Sequence, residues 1–375
     1  MGSVRKKGTN WYYYFDVGTV GGKRKRIERA GGKTKKEALK ALAIAEAEYF
    51  ECGNIKEDSS ESFADWINYW IEEIVKPQLA YQTYTTYKYI ADSHLIPGLG
   101  SYKLKALNPM LLQKFINKKC EDGYAFNSVR AMKKVLSSSL KYAVYPAQKI
   151  RENPAAYVQM PKEKIREKKS KIISEENYKR ILSFVETEPA LANMIQIGWH
   201  TGMRCSEICG LTWDNVDFDN KVIHVKNNLL KKGKELELCS LKTTSSYRDI
   251  YFGKELEALL RKQRKLENIK RLEYGEYWKN DFNLVCTREN GKAYYANLVT
   301  KRCSNISKAL GIDFTFHMLR HTNGTRMLEA GVQEKVIQER LGHASINTTM
   351  NVYVKSTEEL NRDAAEKLEA LSSAI

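Results

Sequence analysis

Arg204, His317, Arg320, His343 and Tyr353 follow one another through the second half of this 375-residue chain. Their chemistry suits one phosphodiester. Breaking such a bond calls for positive charge on the non-bridging oxygens, a nucleophile that gives up its proton, and an acid for the departing alkoxide. Arginine fits the first task because its planar fork gives phosphate two aligned hydrogen bonds and never loses its charge. Imidazoles hold or move protons, and a phenol can attack. No residue type is a signal alone, since the chain has 22 tyrosines. The surrounding text does the selecting: HTGMRCSEICGLTW holds Arg204, FHMLRHT holds His317 and Arg320, and LGHASINTTMNVYV carries His343 and Tyr353 ten residues apart.

Helical spacing adds detail. Arg204 and Glu207 are i,i+3 neighbours on a short helix after Thr201-Gly202, so Glu207 can orient the guanidinium or satisfy a nearby group. His317 and Arg320 share the same spacing and present an imidazole and a guanidinium on one face. His321 is expected to face elsewhere, as a structural residue. His343 ends a Leu341-Gly342-His343 turn within reach of a phosphate oxygen or the nucleophile. A free phenol has a pKa of about 10, so Tyr353 needs a base, and His317 is the candidate.

These motifs resemble the tyrosine recombinase family, the phage and transposon integrases. The match covers about residues 172–355 and fills all six expected positions. The sixth is Lys242 in SLKTTSSYRDI, which the resemblance places on a β-hairpin as general acid for the 5′-oxygen. In the family the position of His343 is His or Trp, which implies hydrogen bonding to phosphate. The implied activity is site-specific recombination for a mobile element, cutting and rejoining DNA through a 3′-phosphotyrosyl bond for integration and excision, with no cofactor or metal. Implied partners are double-stranded DNA with core-type and arm-type sites, a homotetramer on paired sites, and a directionality factor. A type IB topoisomerase uses related chemistry, but the basic amino-terminal segment and the terminal helix favour an integrase. A non-catalytic DNA-binding regulator would keep the charge and lose catalytic groups.

The elements that must position these groups fall into three expected domains, 1–52, 62–160 and 172–375. The formal charge is +17, and residues 1–36 hold 11 Lys or Arg against Asp16 and Glu28. Such an excess favours an anionic polymer. No apolar run approaches the roughly 18–20 residues that span a bilayer, which argues against a membrane partner. Seven scattered cysteines and the lack of a signal peptide point to a reducing, cytoplasmic setting, and Cys205 and Cys209 lack the further ligands of a metal site.

The first domain reads as a small three-stranded sheet plus one helix. Trp11, Tyr13, Phe15 and Val17 alternate with Tyr12, Tyr14 and Asp16, and Thr34 with Glu37 opens a helix whose stripe is Ala38, Leu39, Leu42, Ala45 and Tyr49. It resembles the arm-binding domain of integrases. On that analogy Tyr12, Tyr14, Arg24 and Arg26 face DNA while Trp11, Tyr13, Phe15 and Ile27 pack on the helix. The second domain reads as all-α, from Ser62 onward, with breaks expected at Pro77, Pro97-Gly98 and Asp122-Gly123. Its Lys118, Lys119, Arg130, Lys133, Lys134 and Lys141 suit a backbone-gripping face or plain solvation. The third reads as mixed α/β and mostly helical, with strands between Val222 and Phe252 and a last apolar stripe of Leu360, Ala364, Leu368 and Leu371.

Overall fold

In a computed structural model the chain forms two compact units, Met1–Arg166 and Glu167–Ile375. Described here are residues 2–20, 23–52, 61–162, 172–241 and 244–342, together with Glu366 and Glu369. Lys242, His343, Tyr353 and the stripe Leu360, Ala364, Leu368 and Leu371 lie outside the described residues.

The first unit opens with strands β1 (Ser3–Lys7), β2 (Asn10–Val20) and β3 (Lys23–Gly32), antiparallel in the order β1-β2-β3, followed by helix α1 (Lys35–Cys52). The two-residue period of β2 sends Tyr13 and Phe15 into a small core with Leu42 and Ala45, against which Ile27 packs. Tyr12 and Tyr14 lie half-buried on the other face. Trp11, expected in the core, is also only half-buried. A capping box starts α1: the Glu37 N–H donates to Thr34 Oγ1 (3.2 Å) and the Thr34 N–H to Glu37 Oε2 (3.2 Å). Leu39 departs from its expected place and is exposed. A sheet of three strands covers only the side of α1 that carries Ala38, Leu42 and Ala45, and Leu39 is rotated about 100° from that line.

The same unit continues in helices. α2 (Phe63–Tyr69) starts where Ser62 Oγ accepts the Asp65 N–H at 3.0 Å. It runs through a π turn, Trp70–Val75, into α3 (Lys76–Gln78), and α4 (Tyr81–Ile90) runs through a second, Ala91–Leu95, into α5 (Ile96–Leu99). The helices therefore run through Pro77 and Pro97 and end at Gln78 and Leu99, so the expected breaks come one to two residues after the prolines. In each case an i→i−5 bond (Lys76 N–H to Ile71 O, Ile96 N–H to Ala91 O) precedes the proline and widens the helix for its ring. The proline then sits in the first turn of the resumed helix, where a missing N–H breaks no bond. Helices α6 (Pro109–Glu121) and α7 (Phe126–Val144) complete a core built on Phe63, Trp66, Ile67, Leu112 and Leu136.

The second unit contains α8 (Glu175–Phe184), α9 (Pro189–Thr201), α10 (Cys205–Cys209), and strands β4 (Val216–Asp217), β5 (Val222–Val225), β6 (Asn227–Lys232), β7 (Glu235–Ser240) and β8 (Arg248–Tyr251). Helices α11 (Lys254–Tyr274), α12 (Ala296–Leu310), α13 (Phe316–Glu329) and α14 (Glu334–Leu341) follow. The strands form a β4-β5-β8 sheet and a separate β6-β7 hairpin, all antiparallel. Helix α9 is apolar nearly all round and packs on α13 and α11 at the centre of the core. Asn323 Nδ2 donates to Trp199 O (2.7 Å) and Thr322 Oγ1 accepts the Ile173 N–H (2.9 Å), so the LRHT helix is fixed to the start of the unit.

Trp66 is fully buried and its Nε1–H has no partner among the described residues. Trp66→Ala should cost about 3–5 kcal/mol through the cavity it leaves. Trp66→Phe should cost less than half as much, because it keeps most of the packing and removes an unsatisfied donor. Denaturant unfolding of the full chain followed by tryptophan-independent circular dichroism checks both.

Candidate active site and nucleic-acid surface

The end of α9 sets the geometry of the candidate active site. Gly202 turns the chain in the left-handed region, φ 66°, and a Cβ there would stand 2.5 Å from Leu341 Cδ2 and 2.9 Å from Asn323 Oδ1. Only glycine satisfies both demands. The turn delivers Arg204 as the N-cap of α10, with Glu207 at the third helical position. Glu207 Oε2 accepts the Arg204 backbone N–H at 2.8 Å, and Oε1 accepts Arg204 Nη1 at 2.7 Å.

Glu207 is 1 % exposed and holds a second arginine. Arg248, at the start of β8, donates Nη2 to Glu207 Oε2 at 2.8 Å and Nη1 to Oε1 at 3.2 Å. Arg248 was not among the sequence-predicted site residues. It stands 41 positions from Glu207, and no local spacing connects the two; its place in the SLKTTSSYRDI text beside Lys242 is the available signal. Burial by itself raises the Glu207 carboxyl, but the Arg248 hydrogen bonds and the charges of Arg248 and Arg204 outweigh it and hold the group below its ordinary 4.5.

Three guanidiniums also converge on three successive carbonyls where α14 ends. Arg248 Nε donates to Arg340 O (2.7 Å), Arg320 Nη2 to Leu341 O, and Arg204 Nη2 to Gly342 O (2.9 Å). Arg320 Nη1 donates to Gly202 O at 2.8 Å. Among the described residues these carbonyls have no helical partner, and they lie at the negative end of the helix dipole, so they hold cations together that would otherwise repel. His343 is the next residue in the chain.

Helix α13 carries His317, which is exposed, one turn before Arg320, which is 2 % exposed. His321 is buried, in keeping with a structural residue, but it does not face away from His317. Its ring meets His317 edge to face, 4.5 Å between centroids at 85°, because i,i+4 residues share a helix face. The structure thus gathers Arg204, Glu207, Arg248 and Arg320 around the end of α14 and sets His317 on the Arg320 helix. Strand β7 ends at Ser240, two positions before Lys242. Among the described residues no three His, Cys, Asp or Glu come together as a metal-binding group.

A second candidate surface is the outer face of the amino-terminal sheet. Arg26 lies over the Tyr14 ring at 5.1 Å and pairs with Asp16 (Nε to Oδ1, 3.1 Å). Lys7 lies over Tyr12 at 5.6 Å. The Arg24 side chain lies outside the described residues. Arg5 and Lys7, from β1, join this face and had no sequence signal beyond the local charge.

Removing Glu207 would leave Arg248, itself 5 % exposed at the side chain, buried without its carboxylate. Glu207→Ala should therefore cost about 3–5 kcal/mol. A depressed carboxyl contributes stability that is present above 4.5, its ordinary value, and is lost as pH falls through the lower folded value. Thermal unfolding between pH 6 and pH 3 should show a weaker loss of stability below about pH 4.5 in Glu207→Gln than in the parent chain.

Comparisons with known proteins identify the family and the fold. Residues 171–359 match the phage integrase family, residues 62–120 the N-terminal SAM-like domain of phage integrases, and residues 3–49 an arm DNA-binding domain. The chain is 27% identical over 367 residues to an XerC-like tyrosine recombinase of Caldanaerobacter subterraneus subsp. tengcongensis, covering 91% of this chain and 90% of that protein. It is 24% identical over 376 residues to the ICEBs1 integrase of Bacillus subtilis, covering 98% and 99%. The fold matches that of the Tn1549 transposon integrase in complex with a circular intermediate DNA, with a TM-score of 0.68 at 22% identity over 82% of this chain and 100% of that one. It also matches a lambda integrase tetramer bound to a Holliday junction, with a TM-score of 0.60 at 18% identity over 91% and 92%. With half of its length matched by the family model, this chain belongs to the phage integrase family and is a tyrosine recombinase.

Proposed function

We propose that this chain is the integrase of a mobile element and that Tyr353 cuts DNA while Arg204 and Arg320 grip the scissile phosphate. The observation that carries the reading is the convergence of Arg204 and Arg320, 116 positions apart in sequence, on adjacent carbonyls of the turn that leads into His343. Each guanidinium has five N–H donors, so a carbonyl contact and a phosphate contact can coexist. Glu207 and Arg248 fix the Arg204 fork before DNA arrives, which spares reorganisation during the reaction.

In the proposed step Tyr353 Oη attacks phosphorus, its proton passes to His317, and the bond from phosphorus to the 5′-oxygen breaks. Lys242 supplies the proton to that leaving oxygen, and His343 donates to a phosphate oxygen. The strand is then held as a 3′-phosphotyrosyl ester beside a 5′-hydroxyl end. Attack by a 5′-hydroxyl of another strand reverses the step, so the energy of the phosphodiester is conserved and no high-energy cofactor is called for. Exchange between two duplexes cuts four strands, which suits a homotetramer on paired sites, with residues 1–52 on arm-type sequences, 62–160 and 172–375 on the core. A directionality factor would bias excision.

Tyr353→Phe should bind duplex DNA normally and form no covalent adduct on a nicked suicide substrate; an adduct at the parent level would remove Tyr353 as nucleophile. Lys242→Ala should cleave an ordinary bond at least 100-fold more slowly, in line with the loss of a general acid. It should cleave a 5′-phosphorothiolate bond at nearly the parent rate, since a thiolate leaves without a proton. Equal loss on both substrates would assign the acid to another residue.

A further inference from the structure

The outer face of the amino-terminal sheet carries a carboxylate at its centre, where a purely phosphate-binding surface would be expected to carry none. Tyr14 on β2 pairs with Glu28 on β3 and with Ser3 on β1, so Glu28 reaches across the tyrosine toward β1. There it meets Arg5 side-on: Nε donates to Oε1 at 3.1 Å, and Nη2 donates to Oε1 at 2.8 Å and to Oε2 at 2.9 Å. Lys7 Nζ adds a contact to Oε1 at 2.8 Å. The Arg5 guanidinium also lies 5.6 Å from the Tyr14 centroid. Hydrogen bonds from Lys7 and then Arg5 hold the Glu28 carboxyl below its ordinary value, so it is charged at neutral pH.

A guanidinium has two edges that can take a paired acceptor. Here the carboxylate occupies the Nε/Nη2 edge, which leaves the Nη1/Nη2 end for a second planar acceptor pair. The O6 and N7 atoms of guanine, displayed in the major groove, are such a pair, and the groove admits a β-ribbon. A sequence-independent backbone contact at an exposed site gains less from this arrangement, because its strength follows the net positive charge and Glu28 subtracts from that.

We infer that Arg5 reads a guanine in the major groove of duplex DNA and that Glu28 is the positioning residue that holds its fork for the task. The inference rests on the proposal that residues 1–52 bind DNA. It adds which base is read and why a carboxylate sits among the cations. Glu28 would trade affinity for discrimination: by engaging Arg5 and Lys7 it weakens sequence-independent binding while fixing the one orientation that a base edge rewards.

The test is selection by the full-length chain from a library of random duplexes, with binding to one random duplex titrated across salt. A triple variant, Arg5→Gln with Lys7→Gln and Arg26→Gln, asks whether the sheet binds DNA at all. If it leaves the selected motif and the salt slope unchanged, both the DNA-binding reading and the inference fall. If it removes part of the motif, the single variants decide. Arg5→Gln should lose roughly tenfold or more preference for G·C at one position and leave the other positions alone. A uniform loss across sequences would make Arg5 a phosphate contact and overturn the inference while the DNA-binding reading stands. Glu28→Gln should flatten the same position and bind the random duplex more tightly, with a steeper salt slope. Retention of the full preference in Glu28→Gln would remove its positioning role.

Discussion

Like charges do not gather without something to hold them, and the active-site end of this protein depends on what does. Arg204, Arg248 and Arg320 meet around the last turn of α14, answered by one buried carboxylate and three backbone carbonyls. Glu207 cancels one full charge, and a helix end supplies roughly half of another. The balance stays positive. A site so built holds its guanidiniums in place yet still favours an incoming anion, which is the electrostatic condition for gripping a phosphate.

The same contacts tie remote parts of the catalytic unit together. Arg340 donates to Tyr251 O at 3.0 Å and to His200 O at 3.3 Å, so α14 is bound to the ends of β8 and α9 as well as to the arginines. Gly202 permits the close approach of Leu341 that this arrangement requires. The end of α14 is therefore joined to Arg204 and Arg320 directly, without any intervening relay.

Both surfaces proposed to meet DNA use a carboxylate to hold arginines. Glu207 does so under full burial, where the pair must be well satisfied because an unpaired charge is costly there. Glu28 does so in the open, where an ion pair adds little to stability and its value lies in orientation. An acidic residue within a basic surface is easily read as a flaw in charge complementarity. In these two places it selects one orientation of a long side chain from many, which would reduce the entropy lost on binding an anion in the proposed role.

Much of this was legible in the chain itself, for reasons of short range. The i,i+3 spacings of Arg204 with Glu207 and of His317 with Arg320, the alternation of β2, and the Thr34 and Glu37 capping box are properties of neighbours, so local text expresses them. The motif order that identifies the family is local text as well. Tertiary structure alone decided that Arg248 shares Glu207 from 41 positions away, that three arginines meet at one helix end, and that Arg5 and Glu28 join across β2. It also decided that α2 and α4 continue past Pro77 and Pro97, since a π turn is a compromise with packing that no propensity signals. His321 shows the limit from the other side: it is buried, yet its i,i+4 spacing brings its ring against His317, a contact the sequence spacing already allowed. Periodicity states which residues share a face; only the folded chain states which faces meet.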